Sequence, residues 1–165
     1  MKNRFSYLGK ITAFHLLTQI GAPVLKPDLV IMRMFHRLGL IASEQTTEEN
    51  LLAAVREGQK FAQATGLPIR YIDAVFVSYG QVKQLGVGVA QGICVKKPQC
   101  KICGITNYCE YYRSTPVHID GTIGQSHRAF PPGSTGGTAQ AEIITMIAVD
   151  EHGRPFGSDP DKTLS

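Results

Sequence analysis

Apolar residues recur three and four positions apart along residues 11–79, which is the spacing of amphipathic helices. Glycine and proline interrupt this pattern and divide it into four segments. The predicted helices cover residues 11–20, 27–39, 46–66 and a last segment that runs from residue 68 towards Gly86 and Gly88.

Two of these helices begin at informative residues. Pro27 is favoured in a first helical turn, so Asp28 lies where the positive end of the helix dipole favours a carboxylate. Capping of the first-turn amides is the commoner role for an aspartate there. Thr46 starts a Thr-x-x-Glu pattern that ends at Glu49, which is typical of a capping box with Thr46 as the cap.

The composition changes after Arg113, where glycine and proline become frequent. Within residues 114–165, only residues 143–149 form an apolar run, and this run predicts one strand. The chain is therefore expected to consist of an all-α unit over residues 1–113 and an irregular or partly β tail over residues 114–165.

All the cysteines of the chain lie in one window with the spacing C-x5-C-x2-C-x5-C. Three interpretations are open: free cysteines, a structural zinc ion held by four thiolates, or a [4Fe–4S] cluster. Zinc sites usually pair two short knuckles, whereas this window has one, so the wider spacing favours the cluster. The cysteines are Cys94, Cys100, Cys103 and Cys109.

The net charge and the lengths of the apolar runs limit the classes of protein to which the chain could belong. The net charge of +4 permits binding to nucleic acid without requiring it. No apolar run approaches the length that spans a bilayer, and no secretory signal is recognisable at the start. A reducing compartment is expected, because it would keep the thiols able to bind metal.

Two segments resemble the endonuclease III branch of the helix-hairpin-helix DNA glycosylases. The segment CVKKPQCKICGITNYCEYY (residues 94–112) is similar to the iron–sulfur loop of that family. Upstream, Gly9-Lys10-Ile11-Thr12-Ala13 resembles the end of the hairpin motif, and Lys26-Pro27-Asp28 follows at the distance where the family places its essential aspartate. The resemblance covers residues 5–113.

The resemblance implies a helix-hairpin-helix glycosylase-like domain with a C-terminal [4Fe–4S] loop over residues 94–109. It implies a base-excision repair enzyme that hydrolyses the N-glycosidic bond of a damaged or mispaired base in double-stranded DNA, with Asp28 as the catalytic carboxylate. Arg33 and Arg37 are expected to be helix-surface charges. The implied metal ligands are Cys94, Cys100, Cys103 and Cys109, and the implied DNA contacts are Gly9, Lys10, Lys96, Lys97 and Lys101.

The chain departs from the family pattern at several points. The first two cysteines are separated by five residues instead of six, and Ser6 and Tyr7 replace a proline and a glycine of the hairpin. Ile11 stands where some members carry a Schiff-base lysine, so a monofunctional enzyme without that lyase step is expected. The helical barrel that precedes the hairpin in the family is missing, which predicts a fragment, a partner chain that completes the pocket, or a chain without activity.

Two alternatives to the enzyme therefore stay open: a non-catalytic iron–sulfur DNA-binding module and a zinc-stabilised interaction domain. The expected location is the cytoplasm, in association with the nucleoid, or the nucleus.

Overall fold

The computed structural model describes residues 9–85, 88–115 and 137–148. Six helices and one two-stranded ribbon make up this part of the chain. In order they are α1 (Lys10–Gln19), α2 (Leu29–Arg37), α3 (Glu48–Thr65), α4 (Ile69–Gly80), β1 (Val82–Leu85), β2 (Gly88–Gln91), α5 (Glu110–Ser114) and α6 (Gly137–Ile147).

The described residues are mostly helical, in agreement with the predicted all-α class, but the ribbon of β1 and β2 departs from it. The four predicted helices correspond to α1 to α4. The cap of α3 differs from the prediction by one residue. Thr47, rather than Thr46, has the extended backbone of a cap, and its hydroxyl accepts from the amide of Asn50 at 3.3 Å. The capping box with Glu49 is therefore not formed. Helix α3 is followed by Gly66, whose φ of 68° is the left-handed conformation that glycine adopts without strain.

Helix α4 is shorter than predicted, because it ends at Gly80 and an antiparallel ribbon follows. The register pairs Val82 with Gln91 and Leu85 with Gly88. Gly80 permits a close helix contact, since a Cβ built there would lie 2.5 Å from the Met34 sulfur and 2.6 Å from a Val30 methyl carbon. The ribbon returns the chain to the end of α4, where the cysteine loop begins.

The core lies between α2, α3, α4 and α6. Three fully buried phenylalanines from α2, α3 and α4 contact one another, with ring centroids 5.0 to 5.9 Å apart. Edge-on ring contacts at this distance add to the stabilisation that burial provides. The three rings are those of Phe35, Phe61 and Phe76.

The predicted strand over residues 143–149 is wrong, because residues 137–147 form helix α6. Ile143, Ile144 and Ile147 are buried in the common core, and their spacing places them on one face of a helix. A continuous apolar run is compatible with either a strand or a buried helix, and here α6 packs against α3 and α4. Residue 149 lies outside the described residues, and the division of the chain at residue 113 stays a prediction.

No helix in the described part of the chain combines the length and the apolar character needed to cross a membrane.

Candidate metal centre and carboxylate site

The cysteine loop is held to the end of α4 by backbone hydrogen bonds. The amide of Cys94 donates to the carbonyl of Tyr79, and that of Gln99 donates to the carbonyl of Ile93, both at 2.9 Å. Two short 3-10 turns follow, over Cys100–Ile102 and Thr106–Tyr108, and α5 begins directly after Cys109. These turns fold the window back on itself.

All four cysteines of the window line one small cavity. The thiols also act on one another electrostatically: burial, together with the charges of the other three cysteines, raises the pKa of Cys109 to about 11. Burial likewise raises the pKa of Cys100, followed by the charges of Cys103 and Cys94. The structure therefore brings the four predicted ligands to one place.

Arg37, on α2, forms hydrogen bonds with the cysteine loop. Its guanidinium donates to the carbonyls of Val95 at 2.6 Å and Lys96 at 3.0 Å, and to the Cys94 sulfur at 3.4 Å. It also lies over the ring of Tyr111, 5.0 Å from the centroid. A planar group with five donors suits such a contact better than a lysine would.

Arg33 lies one turn earlier on α2 and reaches the start of the loop. It donates to the carbonyl of Gly80 at 2.5 Å and to that of Cys94 at 3.5 Å. The prediction that Arg33 and Arg37 are surface charges is therefore wrong. Their spacing on α2 places both on one face, and that face carries the cysteine loop.

Two further hydrogen bonds join the thiols to the helical core, and they involve Tyr79 and Cys109. The hydroxyl of Tyr79 donates to the sulfur of Cys103 at 3.3 Å, and burial raises the pKa of this tyrosine well above its usual range. The thiol of Cys109 donates to the carbonyl of Arg37 at 3.4 Å. Two of the four sulfurs are thus held by residues of the helical core.

The donor set fits a [4Fe–4S] cluster in type and number, because such a cluster takes four thiolates. Cys94, Cys100, Cys103 and Cys109 would hold it, and Arg37 would offset part of its negative charge. The free volume of the cavity is about 20 Å³, which is room for one water-sized sphere, so the loop would have to move outward to admit a cluster.

A single metal ion is a different case. Within the described ranges, no three His, Cys, Asp or Glu side chains are placed so that they could hold a metal ion. The thiols as placed therefore support neither the zinc interpretation nor the cluster interpretation over the other.

Asp28 caps the opposite end of α2. Its Oδ1 accepts from the amides of Val30 at 2.9 Å and Ile31 at 3.2 Å, and its Oδ2 lies 3.6 Å from the Nζ of Lys26. Helix α2 begins at Leu29, so Asp28 is the cap residue rather than a member of the first turn. The carboxylate is partly exposed and ionically paired.

A second carboxylate lies near Asp28 and was not recognised from the sequence. Asp73 of α4 accepts from the amide of Lys26 at 3.2 Å. Burial raises the pKa of Asp73, and the nearby charge of Asp28 adds to the increase. The two aspartates are 45 positions apart in the chain, and no local motif links them.

The predicted DNA contacts fall into separate groups. Lys96 and Lys97 are exposed and line an open cleft together with Arg33. Lys101 is exposed on the 3-10 turn that Cys100 opens, and Gly9 is exposed at the start of α1. Nothing is described of the side chain of Lys10, and Ser6 and Tyr7 of the expected hairpin lie outside the described residues.

The Nε of Arg33, beside this cleft, is buried and has no hydrogen-bond partner among the described residues. Arg33, Lys96 and Lys97 together line the cleft, and these three cationic residues make it electropositive.

Comparison with known proteins adds nothing to this geometry: no family model, curated protein or solved structure matches the chain.

Proposed function

We propose that this protein is a base-excision DNA N-glycosylase that hydrolyses the N-glycosidic bond of a damaged or mispaired base, with a [4Fe–4S] cluster in its cysteine loop. The main support for this proposal is that the two ends of α2 hold the two candidate sites. One end presents a carboxylate, and the other holds a loop in which four cysteines line one cavity. Helix α2 has nine residues, so these ends lie about 14 Å apart.

Asp28 is the group suited to the reaction. Cleavage of an N-glycosidic bond builds positive charge on the deoxyribose ring, and a fixed carboxylate stabilises that charge. The same carboxylate can orient or deprotonate the attacking water. Two amides fix Asp28 on one oxygen, while its Oδ2 lies 3.6 Å from the ammonium of Lys26.

The electropositive cleft provides the contact with DNA. Lys96 and Lys97 would bind phosphates, which position a duplex without reading its sequence. The target base would have to leave the stack to reach the carboxylate. When bound, the cluster would supply a rigid cross-link of the loop and an electron-storing group, and hydrolysis would depend on Asp28 alone.

A second function is favoured by one observation. The Asp28 carboxylate is already engaged with two helix amides and one ammonium group, which is sufficient to explain an aspartate at this position. A non-catalytic iron–sulfur DNA-binding module would have the same cysteine loop and the same basic cleft, with Asp28 as a helix cap only.

A cleavage assay separates the two functions. Duplexes that carry uracil, an oxidised purine, an oxidised pyrimidine or a single mismatch are incubated with anaerobically purified protein and then treated with alkali, which cleaves abasic sites. We expect one class of duplex to be cut only after alkali, because Ile11 cannot form a Schiff base. Asp28→Asn should retain the cap and lose at least about a hundredfold in rate.

The matched control is Glu49→Gln, an exposed residue of α3 that changes the net charge by the same amount. Binding to DNA without cleavage of any duplex would support the second function. Full activity of Asp28→Asn would remove Asp28 from the reaction.

A further inference from the structure

Asp73 faces the connection between α1 and α2 at the residue that precedes the buried Pro27. Its Oδ1 accepts from the amide of Lys26 at 3.2 Å, while the carbonyl of Lys26 accepts from the amide of Asp28 at 2.8 Å. Both backbone groups of Lys26 are therefore used, and the short segment 26–28 has little freedom. Proline at position 27 fixes one further backbone angle.

The side chain of Lys26 points to the neighbouring carboxylate. Its Nζ lies 3.6 Å from the Oδ2 of Asp28, and both side chains are partly exposed. A chain of contacts thus runs from Asp73 through the Lys26 backbone and the Lys26 ammonium to Asp28.

We propose that Asp73 is a positioning residue for Asp28, because it fixes the backbone of Lys26 and with it the ammonium group that pairs with the Asp28 carboxylate. The role in catalysis rests on the proposed glycosylase activity, whereas the role in positioning does not. Asp73 is tied to Lys26 by geometry, and no contact between Asp73 and a substrate is implied.

The charged groups that act on Asp73 come from three elements. His15 lies on α1, Lys26 and Asp28 lie in the segment just before α2, and Asp73 itself belongs to α4. Lys26 and His15 favour the ionised form, while Asp28 and burial oppose it. The site is therefore a small cluster of two carboxylates and two basic groups in which each charge depends on the others.

Two variants of Asp73 separate the effect of its hydrogen bond to Lys26 from the effect of its charge. Asp73→Asn keeps an oxygen that can accept from Lys26 and removes the charge, whereas Asp73→Ala removes both. Glu49→Gln is the charge-matched control. Amide hydrogen exchange, measured by NMR on the full chain, reports the amide of Lys26 and the two amides that Asp28 caps, those of Val30 and Ile31.

We expect Asp73→Ala to speed exchange at all three amides by about tenfold, the factor that corresponds to one lost hydrogen bond. Asp73→Asn and Glu49→Gln should keep the protection of the parent. The amide of Phe61, in the last third of α3 and fully buried as a residue, should be unchanged in every variant and reports global unfolding. Protected Val30 and Ile31 amides in Asp73→Ala would overturn the proposal, because Asp28 would then be held without Asp73.

If Asp73→Ala fails to fold, the pH dependence of the NMR signal of the Lys26 amide tests the contact between Asp73 and Lys26 instead. The signal should follow the ionisation of Asp73 in the parent and lose that titration in Asp73→Asn. A Lys26 signal that titrates identically in both proteins would contradict the contact on which the proposal depends.

Single-turnover cleavage tests the catalytic consequence. We expect Asp73→Ala to lower the rate constant by about tenfold with little change in DNA affinity, and Asp73→Asn to retain most of the rate but with an altered pH profile. An inactive parent chain would contradict the proposed function and leave the exchange result to judge the positioning role. An active parent with an unchanged rate in Asp73→Ala would contradict the catalytic part alone.

Discussion

The two ends of helix α2 are built on different principles. At its start, Asp28 accepts from amides two and three positions further along the chain, so the contact is local. At its end, Arg37 donates to carbonyls 58 and 59 positions away. The carboxylate end can therefore form as soon as the helix does, whereas the loop end requires the complete fold.

The largest effect is expected from Arg37→Met, which keeps the length of the side chain and removes every donor to the loop. Hydrogen bonds of a charged group contribute about 1.5–3 kcal/mol each, so we expect a loss of about 3 kcal/mol in the free energy of unfolding. Urea denaturation measures it. Arg37→Lys should lie between the two proteins, since it keeps a charge and loses the fork. A change below about 0.5 kcal/mol for Arg37→Met would show that the loop does not depend on α2.

Gly80→Ala tests how closely α4 approaches α2. The new Cβ would meet the Met34 sulfur and a Val30 methyl group at distances below 3 Å, so both side chains must shift. We expect a loss of about 2 kcal/mol, measured by thermal or urea unfolding.

The matched control is Gly104→Ala, because a Cβ at Gly104 meets no atom within 4 Å. Equal stability of the two alanine variants would contradict the close contact between α2 and α4.

Asp28→Ala removes the cap from the local end of α2. We expect a cost of about 1 kcal/mol, since the amides of Val30 and Ile31 lose their acceptor, and almost no cost for Asp28→Asn. Chemical denaturation of both variants distinguishes the cap from the charge. An Asn variant as unstable as the Ala variant would mean that the ion pair with Lys26, rather than the cap, stabilises this end.

Asp73→Asn should have the smallest effect, and the effect should depend on pH. Burial raises the pKa of Asp73 above its ordinary value of 3.8, so the folded protein holds this proton more tightly than the unfolded chain does. The stability that this proton provides is full below pH 3.8 and is lost as the pH rises through the raised pKa.

The stability of Asp73→Asn relative to the parent should therefore increase between pH 4 and pH 7, by less than about 1 kcal/mol. Denaturation curves at several pH values measure this difference, and the other titrating groups cancel because both proteins share them. A difference that does not change with pH would contradict the burial of Asp73.

The helices α1 to α4 could be predicted from the sequence because apolar spacing, glycine and proline report local structure directly. Helix α6 could not, since an apolar run such as Ile143 to Ile147 fits a strand as well as a buried helix until its packing partner is known. The ribbon after Gly80 was missed for a similar reason, because its strands have four residues each and lie between glycines.

Some parts of the candidate site could likewise be predicted from the sequence, and others could not. The clustering of the cysteines and the place of Asp28 at a helix start are visible in the chain itself. The contacts of Arg33, Arg37 and Asp73 are not, because each joins residues 47 or more positions apart. Only the packing of α2 against α4 and the cysteine loop brings these side chains to their partners.

The iron content of anaerobically purified protein decides whether the cysteine loop holds a cluster. We expect a brown protein with about four iron atoms and four sulfide ions per chain, held by Cys94, Cys100, Cys103 and Cys109. Cys103→Ala should lose most of this iron, and Gly104→Ala should keep it. A colourless and iron-free parent protein, or a Cys103→Ala variant with undiminished iron, would contradict the account.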